Sequence, residues 1–306
     1  MEVKVECRGD RIADAADTLS QVLQTLLARI IERDRDLDLS ALQRITVAED
    51  YARALLEETG DESATGVVRA IHGEEAVGLL IDGAHMSAAL AGDAEQVSSF
   101  VHLFHRELCR IHDARARLGQ SSSLELLLEC EFDRQLLPIA ESMWAEYFST
   151  RRSVWSLPQG SDLMLTHLAD LLEALPAAMN EEIVLHLGSN DIDGLFLRSV
   201  GRVAHLAQTM AHCQGYLAGL GRPLADIGPE YDALVARSPL AAPWGPLLHR
   251  FEVLFASPSR STESIYLALQ TDVVAVFAAL GLRIRRAEDG GVWVDALPIV
   301  AGGPTQ

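Results

Sequence analysis

Lysine is nearly missing from this chain. Lys4 is its one lysine, and every other basic side chain among the 306 residues is arginine. That bias fits GC-rich coding DNA better than it fits a function. Positive charge is scarce as well: 25 basic side chains face 44 acidic ones, for a net charge of −19. An acidic surface repels phosphate backbones and anionic lipid headgroups, so neither a nucleic-acid partner nor a membrane is expected. Acidic side chains outnumber basic ones by 28 to 14 in residues 1–150, so most of the excess lies there. Four cysteines, Cys7, Cys109, Cys130 and Cys213, stand without C-x-x-C spacing. They read as reduced thiols and give no disulfide framework. No apolar run reaches about 18 residues, and no basic-plus-apolar segment opens the chain, so a cytoplasmic protein is expected. A glycine-rich phosphate loop, a G-x-S-x-G turn, a coherent Ser/His/Asp set and an internal repeat are all missing.

Hydrophobic residues make up 49% of the chain, enough for a sizeable core. Val3 and Val5 alternate with charges over Met1–Cys7, which predicts a short strand. Residues 12–33 follow as one helix, and Glu32-Arg33-Asp34-Arg35-Asp36 reads as its solvated end. Residues 42–47 form a strand, and 51–58 either continue it or make a short helix. Residues 67–71 and 77–81 pair as a hairpin. A long helix is expected from about 95 to 118, a small-polar loop at 119–123 and a helix at 124–135. Pro138 is then placed to open another helix. Arg151–Gly160, with Pro158, is the best internal boundary. It divides the chain into residues 1–150 and a helical region, 151–306, that is either separate or continuous with the first. In that region 162–175 ends at Pro176, 180–187 is short, and 192–220 is long. Helices at 229–236, 246–255 and 262–280 follow. A terminal hairpin at 282–297 is able to join the N-terminal sheet. The fold class is helix-rich α+β: a small mixed sheet on a long helix, then a mainly helical half.

The chemistry gathers between Phe100 and Asp113. Three histidines, one cysteine, one glutamate and two arginines share those residues. Val101, Phe104, Leu108 and Ile111 recur at helical spacing, so one face of this helix is apolar. Arg106-Glu107-Leu108-Cys109-Arg110 occupies the frame of an H-E-x-x-H motif with arginine at both histidine positions. A second stretch, Trp144-Ala145-Glu146-Tyr147, lies on a following helix.

These two stretches resemble the zincin metallopeptidases of the gluzincin type. The W-x-E-Y run is similar to a segment of uncharacterised bacterial H-E-L-x-H proteins. The resemblance covers roughly residues 40–150. In such enzymes the two histidines bind Zn²⁺ and the glutamate is general base on the bound water. The resemblance implies that Glu107 holds the vestigial base position. It makes Glu146, with Glu141 second, the candidate for the third ligand. It also implies that the edge strand before the signature helix, taken as 77–81, pairs with a substrate backbone. A guanidinium has no lone pair to give a metal, so Arg106 and Arg110 cannot replace the histidines. They are suited instead to ion-pair with Glu107, Glu146 or Asp113 in a rebuilt charge network.

Three functions stay open on this reading. The first is an inactive metallopeptidase-like protein, without cofactor, that binds or regulates a protein or peptide partner. The second is an active zinc hydrolase with altered ligands. His102, His105, Cys109 and His112 form one helical stripe of ligand types, and its ligands would be drawn from these four, His105, Cys109 and His112 foremost, and Glu146. The third is a helical interaction module unrelated to zincins. In it R-E-x-x-R is a charged helix face and the histidines and cysteine pack structurally.

Overall fold

Four short strands organise the N-terminal part: β1 (Lys4–Arg8), β2 (Leu42–Ala48), β3 (Val68–His72) and β4 (Val77–Asp82). A computed structural model describes residues 3–60, 66–73, 76–117, 128–257 and 261–299. The strands lie in the order β1-β2-β4-β3. β1 and β4 run parallel to β2, and β3 runs antiparallel to β4. Parallel neighbours need crossovers. Helices α1 (Asp10–Ala13) and α2 (Ala16–Arg33) make the first, and α3 (Tyr51–Thr59) with β3 lies within the second. The expected helix over 12–33 is thus divided at Asp14 and Ala15. The hairpin at 67–81 forms, but its second strand lies inside the sheet. The edge is β3, which corrects the assignment of 77–81. The reason is burial: Leu79, Leu80 and Ile81 are covered and alternate to both faces of the sheet.

Asp82 caps the next helix, α4 (Gly83–Ala91), by accepting from the amides of Ala84 and His85. α5 (Ala94–Arg117) follows. Its Phe100, Phe104, Leu108 and Ile111 join Leu23, Leu27 and Ile30 of α2 and Ile45, Val47 and Ile81 of the sheet in one core. Each such side chain contributes roughly 1.5–3 kcal/mol by burial. The other sheet face is covered by Tyr51, Ala54 and Leu55 of α3. A small mixed sheet packed on the helix that carries Glu107 is therefore present.

The chain forms two compact units. The first holds residues 1–116 and 152–161, and the second holds 117–151 and 162–306. The loop expected at 119–123, residues 124–127 of the helix expected after it, and the tail from 302 lie outside the described residues.

The second unit is helical. α6 (Glu131–Ser153) supplies most of its length to it, followed by α7 (Leu165–Ser189), α8 (Ile192–Leu220), α9 (Leu224–Ile227), α10 (Pro229–Arg237), α11 (Ala241–Ala256) and α12 (Thr262–Ala279). Pro138 does not open a helix: α6 runs through it. Leu136, Leu137, Ile139 and Ala140 are buried around it while Pro138 faces solvent, so packing holds the helix across the missing hydrogen bond. Pro176 likewise does not end α7. Leu172, Leu175, Met179 and Ile183 make a buried stripe that continues past it. The terminal hairpin, β5 (Leu282–Arg286) with β6 (Val292–Ala296), forms its own two-stranded sheet and does not join the first. Among the described residues no helix is long and apolar enough to cross a membrane.

Candidate functional site

α5 brings Glu107 to the sheet edge. The Glu107 side chain is nearly buried, and each of its oxygens is engaged. Oε1 accepts from Arg110 Nη1 at 2.8 Å, and Oε2 accepts the backbone N–H of Ala70 in β3 at 3.1 Å. The i,i+3 spacing on one helix places the ion pair. The strand contact follows from the antiparallel ladder, in which alternate amides point away from the partner strand. Arg106 is half-buried and Asp113 is buried on the same helix.

Glu146 belongs to the second unit. Its Oε2 lies 3.1 Å from His212 Nδ1 of α8. Glu141 of the same helix pairs with Arg117 at 3.3 Å. Of the residues singled out in the sequence, Glu107, Arg106, Arg110 and Asp113 therefore share α5, while Glu146 and Glu141 share α6.

The histidine stripe of α5 divides between two environments. His102 and His105 both direct Nδ1 at Ser156 Oγ, at 3.0 and 2.8 Å. Ser156 follows α6 in a short 3₁₀ turn, Val154–Ser156. Its hydroxyl donates to the carbonyl of Ser153, so its oxygen accepts from both imidazoles. For His105 this places the ring proton on Nδ1 and the lone pair on Nε2. His105 is fully buried, and its Nε2 has no hydrogen-bond partner. Burial, more than any neighbouring charge, depresses its pKa to about 4, so the ring is neutral at physiological pH. The Trp155 ring lies against it, 4.4 Å between centroids, and Arg33 stacks on that indole at 4.5 Å from its centre. His112 departs from the stripe. Its Nδ1 accepts the backbone N–H of Asp38 at 2.8 Å.

Cys109 is fully buried one turn beyond His105, and desolvation pushes its thiol well above the ordinary range. Asp34, at the C-terminal cap of α2, comes to the same place. The ligand atoms of Asp34, His105 and Cys109 all lie within 4.8 Å of one another. Arg152 holds the Asp34 carboxylate with a two-pronged contact, at 2.9 and 2.7 Å. Asp34 is thus held in an ion pair, while Glu32, Arg33, Arg35 and Asp36 of the same run are exposed, as expected of a solvated helix end. Sequence reading missed Asp34, Arg152, Trp155 and Ser156. The charged run around Asp34 carries no periodic signal that separates a paired residue from a solvated one.

A groove of about 300 Å³ lies beside this cluster, walled by Ile30, Arg33, Val101 and Trp155. No family model, curated protein or solved structure matches the chain.

Proposed function

We propose that this chain is a catalytically inactive, metallopeptidase-like protein that works by binding an extended protein or peptide segment. The observation that carries the reading is the double engagement of Glu107 by Arg110 and the Ala70 amide. A general base in the H-E-x-x-H enzymes needs a metal-bound water in front of it. Glu107 has a guanidinium there. That group compensates the carboxylate charge and offers no lone pair, and Arg106 offers none either. Zinc therefore does not fit between these positions, and no water activation is assigned to Glu107.

Binding is favoured by the sheet edge. β3 is an edge strand beside α5, the place where the resembled enzymes pair with a substrate backbone. An incoming strand would compete with Glu107 for the Ala70 N–H, so the carboxylate acts as a gate on one ladder position. The net charge of −19 favours a basic segment.

A selection of displayed peptides on the immobilised full chain tests this, followed by hydrogen exchange on the best binder. The expected result is an uncleaved peptide that slows exchange at the amides of Val68–His72. Cleavage of the peptide, or protection only outside β3, contradicts the reading.

A further inference from the structure

We propose that Asp34, His105 and Cys109 form a buried zinc site in the first compact unit, distinct from the Glu107 position and able to bind the metal without it. Three observations converge on it. The three ligand atoms already lie within 4.8 Å of one another. Tetrahedral ligands at ordinary Zn–N, Zn–S and Zn–O lengths stand about 3.3–3.7 Å apart, so closure needs side-chain shifts on the order of 1 Å. His105 and Cys109 are i and i+4 on α5, the spacing that puts two side chains on one helical face.

The second observation is the orphaned nitrogen. His105 gives its Nδ1 proton to Ser156 Oγ, leaving Nε2 as a buried lone pair without a partner. A buried acceptor left empty is costly, and such atoms call for an explanation. A hydrogen bond from one ring nitrogen with the other left bare is the arrangement that metal-bound histidines show.

The third observation concerns charge. Asp34 brings a carboxylate whose two oxygens each take one N–H from Arg152 and keep a second lone pair. On binding, the Cys109 S–H bond breaks, an S–Zn bond forms, and the proton leaves to solvent. The dication then faces a thiolate, a carboxylate and a neutral imidazole, a donor set suited to zinc over magnesium or calcium. The fourth position is left for water. The site would clamp the end of α2 to α5, where Asp34 and Cys109 now meet without a covalent link.

Cobalt(II) titration of the purified full chain, stripped of metal and kept reduced, tests this. The expected result is one Co²⁺ per chain with a thiolate-to-cobalt charge-transfer band, displaced by one equivalent of Zn²⁺, and about one proton released. Cys109→Ala removes the band, His105→Gln weakens binding at least tenfold, and Cys7→Ser and Cys130→Ser keep both. Circular dichroism of each variant reports whether it folds. The wild-type titration stands by itself if a variant does not: no charge-transfer band, or a band without proton release, overturns the proposal. A band that survives Cys109→Ala in folded protein overturns it too.

Discussion

Arg110 donates to Glu107 across 2.8 Å, one helical turn apart on α5, and the second oxygen of that carboxylate holds the edge strand through Ala70. The pair therefore ties helix to sheet as well as charge to charge. Removing the guanidinium alone leaves a nearly buried carboxylate uncompensated. Arg110→Ala is expected to destabilise the protein by about 2–4 kcal/mol in urea unfolding. Arg110→Met combined with Glu107→Gln is expected to cost less than Arg110→Ala alone. The amide oxygen still accepts from Ala70 and no charge is left unpaired. A double variant that is less stable than the single one counts against the network.

In the second unit, α8 passes α6 at Gly215. A Cβ built there would stand 2.6 Å from the carbonyl oxygen of Tyr147. Gly215→Ala is expected to cost about 1–3 kcal/mol as overpacking against rigid backbone. Gly201 lies on the same helix with nothing within 4 Å of its Cβ position. Gly201→Ala is expected to stabilise by about 0.5–1 kcal/mol through helix propensity. Thermal unfolding of the two variants side by side checks the contrast, and equal effects would refute the close approach.

His167 and His205 meet through their Nε2 atoms at 2.9 Å. One ring donates and the other accepts, so the contact requires at least one neutral imidazole. Burial first, and then the neighbouring imidazole, lower the His205 pKa below its ordinary 6.5. In the window between that depressed value and 6.5 the unfolded chain binds more protons than the native one. The stabilisation is therefore present above pH 6.5 and is lost as pH falls through the native pKa. Proton NMR titration should find His205 below 6.5, and His167→Gln should move it upward. A His205 pKa above 6.5 would contradict the contact.

The sequence made the elements legible and left the partners hidden. Apolar spacing located α5, α8 and α12 to within a few residues, because one-sided burial leaves a periodic trace. Pro138 and Pro176 misled it, since a helix held by a buried stripe tolerates a proline that local rules place at an end. The strand at the sheet edge was assigned to 77–81 in place of 68–72. A hairpin pattern says which strands pair but not which of them gains a second neighbour. Glu107 was legible as one of three carboxylate partners for Arg110, beside Glu146 and Asp113. Asp34, Arg152 and Ser156 were not, because their meeting depends on the last turn of α6 and the segment after it, which belong to the first unit. Nothing in local composition encodes that return.

Hydrolysis of an unstructured fluorogenic polypeptide tests the central claim most directly, with wild-type protein and Glu107→Gln compared in the presence of Zn²⁺. If Arg110 and the Ala70 amide hold Glu107 as a binding element, wild type and variant both leave the polypeptide uncut, at the rate of buffer alone. Zinc-dependent cleavage by the wild type that Glu107→Gln abolishes would contradict the account, because it would make Glu107 a working base.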